Sequence, residues 1–193
     1  MTIDKQAQSS RLSPGYLKEC LDYDSQSGLF FWKKRPFSHF ASVRHLNRWN
    51  SLFVGKKAGS PNSKGYMQIT LDRVTYKAHR LAWMYCYGKY PELSIDHING
   101  VHADNRIANL RLATKSENGM NRGPQINNTS GVKGVCWKED EMLWVSQIGK
   151  DGKTIYLGRF DNLFDAVAAR RSAEITFHGE YRSINFKSLG IAA

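Results

Sequence analysis

The residues best suited to chemistry fall within one block. Asp96 and His97 are adjacent, Asn99-Gly100 follows at once, and Asp104, Asn105, Asn109 and Asn118 come within the next 21 positions. A carboxylate and a carboxamide oxygen are hard ligands, suited to Mg²⁺ or Mn²⁺ with water and phosphate oxygens completing the shell. A histidine left off the metal titrates near neutrality and can take a proton from water. Together these are the parts for metal-assisted hydrolysis of a phosphate ester. Cys20, Cys86 and Cys136 lie far apart without a CxxC pair, so neither a zinc knuckle nor a disulfide framework is expected, and a reducing compartment fits best.

Positioning such groups requires particular elements. The block reads as a strand, a loop, a second strand and a helix. Adjacent strand residues point to opposite faces, so Asp96 and His97 flank one phosphate only if the strand ends beside them. Asn99-Gly100 supplies that break, and Asp96 could then face back toward Asn118. Thr114 and Glu117 form a capping-box pattern that marks the helix start, which places Asn118 in its first or second turn. Asn105 and Asn109 suit loop fixing. His79 reads as a helix-start or core histidine, and His102 as a polar-loop residue. Arg80, Arg106, Arg111 and Arg122 are candidate contacts to a phosphate backbone.

The combined run DHING, DNR, NLRLAT and SEN resembles the ββα-metal motif of HNH endonucleases, in the phage and intron homing branch. The upstream runs HRLAW (from His79) and GYMQI (from Gly65) extend the resemblance over most of residues 13–122. It implies that Asp96 and Asn118 bind a catalytic cation, Mg²⁺ first with Mn²⁺ as the alternative. It also implies that His97 activates water, and that Asn109, helped by Asn105, fixes the loop and the histidine.

Ser13-Pro14 opens a helix to about Leu21, followed by a strand at Leu29–Trp32. The stretch from Lys33 to Lys57 mixes basic and aromatic residues and yields no assignment. Gly65–Leu71 and Val74–Ala78 form a hairpin pattern across Asp72-Arg73. His79–Tyr87 suits a buried helix stopped by Gly88. Beyond an Asn- and Gly-rich loop come strands at Lys133–Lys138, Met142–Ile148 and Lys153–Arg159, then a helix from Leu163 to Phe177 with a stripe of Ala166, Ala169, Ala173 and Phe177. This last region resembles an AP2 (ERF-type) DNA-binding domain, in which a three-stranded sheet reads the major groove. The resemblance implies DNA contacts by Lys133, Lys138, Trp144 and Tyr156, with Gln147 and Lys153 as weaker candidates. Cys136 and Thr154 stand where arginines are common, which lowers the binding strength expected.

The 193 residues carry 28 Lys and Arg against 17 Asp and Glu, a formal charge of +11 that favours a polyanionic partner. The excess is uneven: 19 basic and 9 acidic residues in 1–126 give +10, and 9 and 8 in 127–193 give +1. The sequence therefore predicts an α+β chain with a ββα-metal (HNH) nuclease region followed by a small three-stranded antiparallel sheet packed on one helix. Its parts are a flexible tail (1–12), an α+β region supporting the nuclease (13–75), the HNH core (76–122), a linker (123–129), the AP2-like domain (130–186) and a second tail (187–193). The partner expected is double-stranded DNA, read partly by Arg106 and Arg122, with no membrane and no obligatory protein partner. A cytoplasmic location is expected, the host's if the chain is phage-encoded. The rival readings are a DNA-binding regulator with a decayed nuclease half, and a binder of structured RNA.

Overall fold

The structure, a computed structural model, describes residues 12–183. They divide into two units: the residues through His97 together with Val101–Leu112, and Ile98–Gly100 together with the residues from Ala113 on.

In the first unit the Ser13 hydroxyl accepts from the Tyr16 N–H and caps helix α1 (Pro14–Cys20), with Pro14 at a position whose missing N–H costs nothing. Leu12, assigned by sequence to a loose tail, is buried in the core; the rest of that tail and the one at 187–193 lie outside the described residues. Strands β1 (Leu21–Asp24) and β2 (Leu29–Trp32) form an antiparallel hairpin with Leu21 opposite Trp32. Its turn uses Gly28 at φ +72°, where a Cβ would lie 2.6 Å from the Asn105 carbonyl carbon and closer still to the Arg106 nitrogen. The hairpin turn thus packs directly on the backbone of the loop that carries Asn105.

Helix α2 (Val43–Phe53) occupies the stretch that sequence left unassigned. Ser42 caps it through the His45 N–H. Strands β3 (Ser60–Pro61), β4 (Met67–Leu71) and β5 (Val74–Lys77) make an antiparallel sheet in the order β3-β4-β5. The β4–β5 hairpin turns on Asp72 and Arg73, both at positive φ, the conformation a two-residue hairpin loop demands. Helix α3 (Ala78–Tyr87) buries Ala78, His79, Leu81, Ala82 and Met84 and ends on Gly88 in the left-handed region. These elements enclose one core that includes Leu17, Phe30, Ile69, Leu81, Ile95 and Leu110. Strands β6 (Ser94–His97) and β7 (Leu110–Ala113) pair as a two-stranded sheet.

The second unit starts with helix α4 (Lys115–Met120), whose capping box is formed in both directions between Thr114 and Glu117. Strands β8 (Val135–Lys138), β9 (Leu143–Lys150) and β10 (Lys153–Phe160) form an antiparallel sheet in the order β10-β9-β8. Helix α5 (Leu163–His178), capped by the Asn162 side chain on the Asp165 N–H, packs Ala166 and Val167 against Val132 and Val135. Of the expected helix stripe, Ala166 and Ala173 are buried while Ala169 and Phe177 are half-buried. Arg170 fills the middle of that face at 1% exposure, donating to the Gln147 carbonyl and pairing with Glu174. Among the described residues no helix is long and apolar enough to cross a membrane.

Candidate active site

β6 is half-buried at Ser94, and Ile95, Asp96 and His97 are all buried on it. Asp96 meets the strand beside it: the Arg111 guanidinium on β7 donates twice to Asp96 Oδ2, at 2.9 and 2.7 Å. The two side chains are 6% and 13% exposed, so this is an ion pair largely removed from water. Sequence reading took Arg111 for a candidate phosphate contact, whereas its charge is spent on Asp96.

His97 is 3% exposed, and its Nε2 lies 3.2 Å from Asn105 Oδ1. With the carboxamide oxygen accepting, Nε2 carries the proton of the neutral ring. Burial pushes the His97 pKa below the ordinary histidine value, and the Asn105 hydrogen bond opposes that shift. Asn105 is itself held, since the Tyr23 hydroxyl donates to its backbone carbonyl at 2.7 Å and Gly28 lets the β1–β2 turn press on the same backbone. Asn109 acts on the loop by donating to the Asp104 carbonyl at 2.9 Å. Arg106 closes on Asp104 of the same loop, a local pair that competes with its expected role in touching DNA.

Three further rings complete the surroundings of His97. His79 stands edge-on to it with centroids 5.0 Å apart, Tyr66 lies 5.9 Å away, and His102 lies 6.0 Å away, stacked on Tyr66 at 3.9 Å. His102 is exposed, and its Nδ1 lies 2.9 Å from the Lys64 carbonyl oxygen. His79 is 4% exposed and burial drives its pKa down to about 2, with the neighbouring His97 as the next cause. It is therefore a neutral ring at any working pH. Sequence reasoning missed Tyr66, Tyr23 and Gly28, because each reaches the site from more than 30 positions away. Arg111 carried a usable signal: pairing β6 with β7 sets a base across from an acid.

Asn118 lies within α4 of the second unit and is half-buried. A carboxylate and a carboxamide oxygen suit a hard divalent cation that keeps several waters. Among the described residues no group of three or more His, Cys, Asp or Glu side chains could hold a metal. Arg111 already neutralises Asp96, so a cation at this carboxylate has to displace or share that contact.

In the second unit, strand alternation and register put Lys138, Gln147 and Tyr156 on one face of the sheet, with Gln147 directly opposite Tyr156. All three are exposed. Trp144, expected to face DNA, packs instead against the Val132–Ala166 core, because register places it on the face that meets α5. Lys133 precedes β8 and is turned inward, its Nζ donating to the Gly119 carbonyl, and burial lowers its pKa. Lys153 is exposed at the start of β10, opposite Lys150 and on the alternate face from Tyr156. Arg122 is exposed beyond α4.

Residues 76–120 match the HNH endonuclease family. Over 110 residues the chain is 33% identical to Protein 3.8 of Escherichia phage T7, a stretch that is 55% of this chain and 90% of that protein. No solved structure matches the chain.

Proposed function

Since this chain belongs to the family of the phage T7 Protein 3.8 and carries an HNH endonuclease domain over residues 76–120, we propose that it is a metal-dependent DNA endonuclease with His97 as general base. One observation carries this reading: His97 is buried beside Asp96 with its Nε2 held on Asn105. Held on Asn105, the ring is oriented to take a proton from the attacking water. Burial favours the neutral ring that such a base must be. Asp96 would hold the cation, Mg²⁺ or Mn²⁺, with Asn118 as the second ligand that the family resemblance implies. When bound, that cation neutralises charge developing on the scissile phosphate. Asn105 positions the base, and Asn109 keeps the loop from Asp104 closed around it.

The second unit is assigned to DNA binding in the manner of an AP2-type sheet. Support comes from three antiparallel strands backed by one helix, and from Lys138, Gln147 and Tyr156 sharing an exposed face. A second module raises the effective concentration of the nuclease at its substrate.

The test is cleavage of supercoiled DNA with Mg²⁺, with EDTA, and with His97→Ala. Metal-dependent cutting that is lost in the variant while DNA binding survives supports the assignment. Linear against relaxed product separates double-strand cutting from nicking. A second reading, a DNA-binding regulator without cleavage, is favoured by one observation, the hold of Arg111 on Asp96 Oδ2. Tight DNA binding with no cutting under several cations would establish it.

A further inference from the structure

From Ser25 to Leu71 the chain carries eight lysines and arginines and no aspartate or glutamate. This run contains α2, which the catalytic assignment leaves without a task. The helix has two stripes at the i, i+3, i+4, i+7 spacing of a single helical face. Leu46, Trp49, Asn50 and Phe53 form the inner one, the first three half-buried and Phe53 still 39% exposed. Trp49 packs edge-on against Trp32 at 5.3 Å and lies near Phe40, while the Asn50 carboxamide oxygen accepts from the Arg35 N–H. Arg44, Asn47, Arg48 and Ser51 form the outer stripe, and all four are exposed. Among the described residues neither arginine has an acidic partner. The base of the helix adds charge: Lys56 accepts the Trp32 N–H through its carbonyl, which brings the exposed Lys56 and Lys57 beside the exposed Lys33 and Lys34 at the end of β2.

We propose that the outer stripe of α2 is a duplex-DNA contact surface, distinct from both the His97 site and the C-terminal sheet. This inference rests on the DNA-directed reading above and adds a third point of contact. Eleven residues make a helix about 16 Å long, and a helix of that kind fits the roughly 12 Å wide major groove of B-DNA. Arg44 to Ser51 spans about 10 Å of axis, or about three base pairs. Arginine, asparagine and serine donate to phosphate oxygens and base edges alike. Two competing partners are disfavoured. A helix lying on a membrane turns its apolar face outward, whereas here Trp49 is turned in on Trp32 and Phe40 and the fully exposed stripe carries two arginines, although Val43, Leu52 and Phe53 also keep exposed surface. Double-stranded RNA presents a major groove too deep and narrow to admit a helix.

The experiment measures binding and does not read cleavage. The full chain with His97→Ala, in EDTA, is titrated against a fluorescent 30-base-pair duplex at a series of salt concentrations. Arg44→Ala with Arg48→Ala should lower the slope of log K against log salt by about 1.8, the loss of two phosphate contacts. Arg44→Lys with Arg48→Lys should keep the slope, and Lys89→Ala, an exposed charge elsewhere in the same unit, should move it by less than about 0.3. Circular dichroism confirms that the variants keep their helix content. An unchanged slope in the alanine pair, or a slope that Lys89→Ala lowers as much per charge, overturns the proposal. So does a loss of binding to phosphatidylserine vesicles with duplex binding intact. A chain that binds through this stripe but never cuts DNA refutes the nuclease reading and leaves this one standing.

Discussion

Lowering the pH from 7 to 5 lets the unfolded chain bind a proton at His79 that the folded chain refuses. The ring is 4% exposed, its Nδ1 has no hydrogen-bond partner among the described residues, and its pKa is pushed down to about 2. Unfolded, it titrates near 6.5. A base with a depressed folded-state pKa contributes its full share of stability above the unfolded value. That share is lost as pH falls from 6.5 toward the folded value. At pH 5 the deficit is about 1.5 pH units, and at about 1.4 kcal/mol per unit the first unit loses about 2 kcal/mol. That is a substantial part of an ordinary domain's margin. The assay is urea unfolding at pH 7 and pH 5, read by hydrogen exchange at the α3 amides of Leu81, Ala82 and Met84. His79→Leu removes the titrating group, so this variant should lose about 2 kcal/mol less than the parent between the two pH values. His97 shifts in the same direction and remains in both proteins, so its contribution cancels in the comparison. An equal loss in parent and variant would refute the reasoning.

Four other outcomes follow from the same geometry. Asn105→Ala frees the His97 ring from its Nε2 anchor, and cleavage should fall about 10- to 100-fold with duplex affinity unchanged in an anisotropy titration. Arg111→Met strands the Asp96 carboxylate, which should cost about 3 kcal/mol without metal; Mg²⁺ should then raise the melting temperature more in the variant than in the parent. Gly28→Ala drives a Cβ into the Asn105–Arg106 backbone at a left-handed φ, so both stability and cleavage should drop, by at least about 1 kcal/mol in a melt. Tyr156→Ala should weaken duplex binding while leaving the melting temperature nearly unchanged, since the ring is 57% exposed, whereas Trp144→Ala should lower the melting temperature because that ring packs on the core.

The features legible in the sequence share one property: their signal is local. The Thr114–Glu117 capping box, the Asn162 cap, the Asp72-Arg73 turn and the Gly88 stop each depend on residues within four positions, and each element lies where it was expected. α2 carried a local signal too, a strongly amphipathic 3.6-residue period behind a Ser42 cap, and it went unassigned because its arginines and asparagines leave the stretch polar on average. Trp144 escaped because its orientation depends on strand register, and aromatic residues on a short strand are equally compatible with either face until the helix that covers one of them is placed.

The candidate site divides along the same line. The acid, the base and the amides are adjacent in sequence, so their chemistry could be named at once. What makes them a site is non-local. Tyr23 and Gly28 fix the backbone of Asn105 from a hairpin more than 70 positions earlier, and Asn105 fixes His97. Tyr66 and His79 wall the ring from the sheet and from α3. Buried side chains are held to within tenths of an ångström by such packing, and a general base misplaced by 1 Å forfeits much of its rate. The β1–β2 hairpin is therefore part of the positioning machinery although it contributes no reactive group. Substitutions there should act on cleavage with little effect on DNA binding, the pattern that separates a scaffold for the base from a scaffold for the substrate.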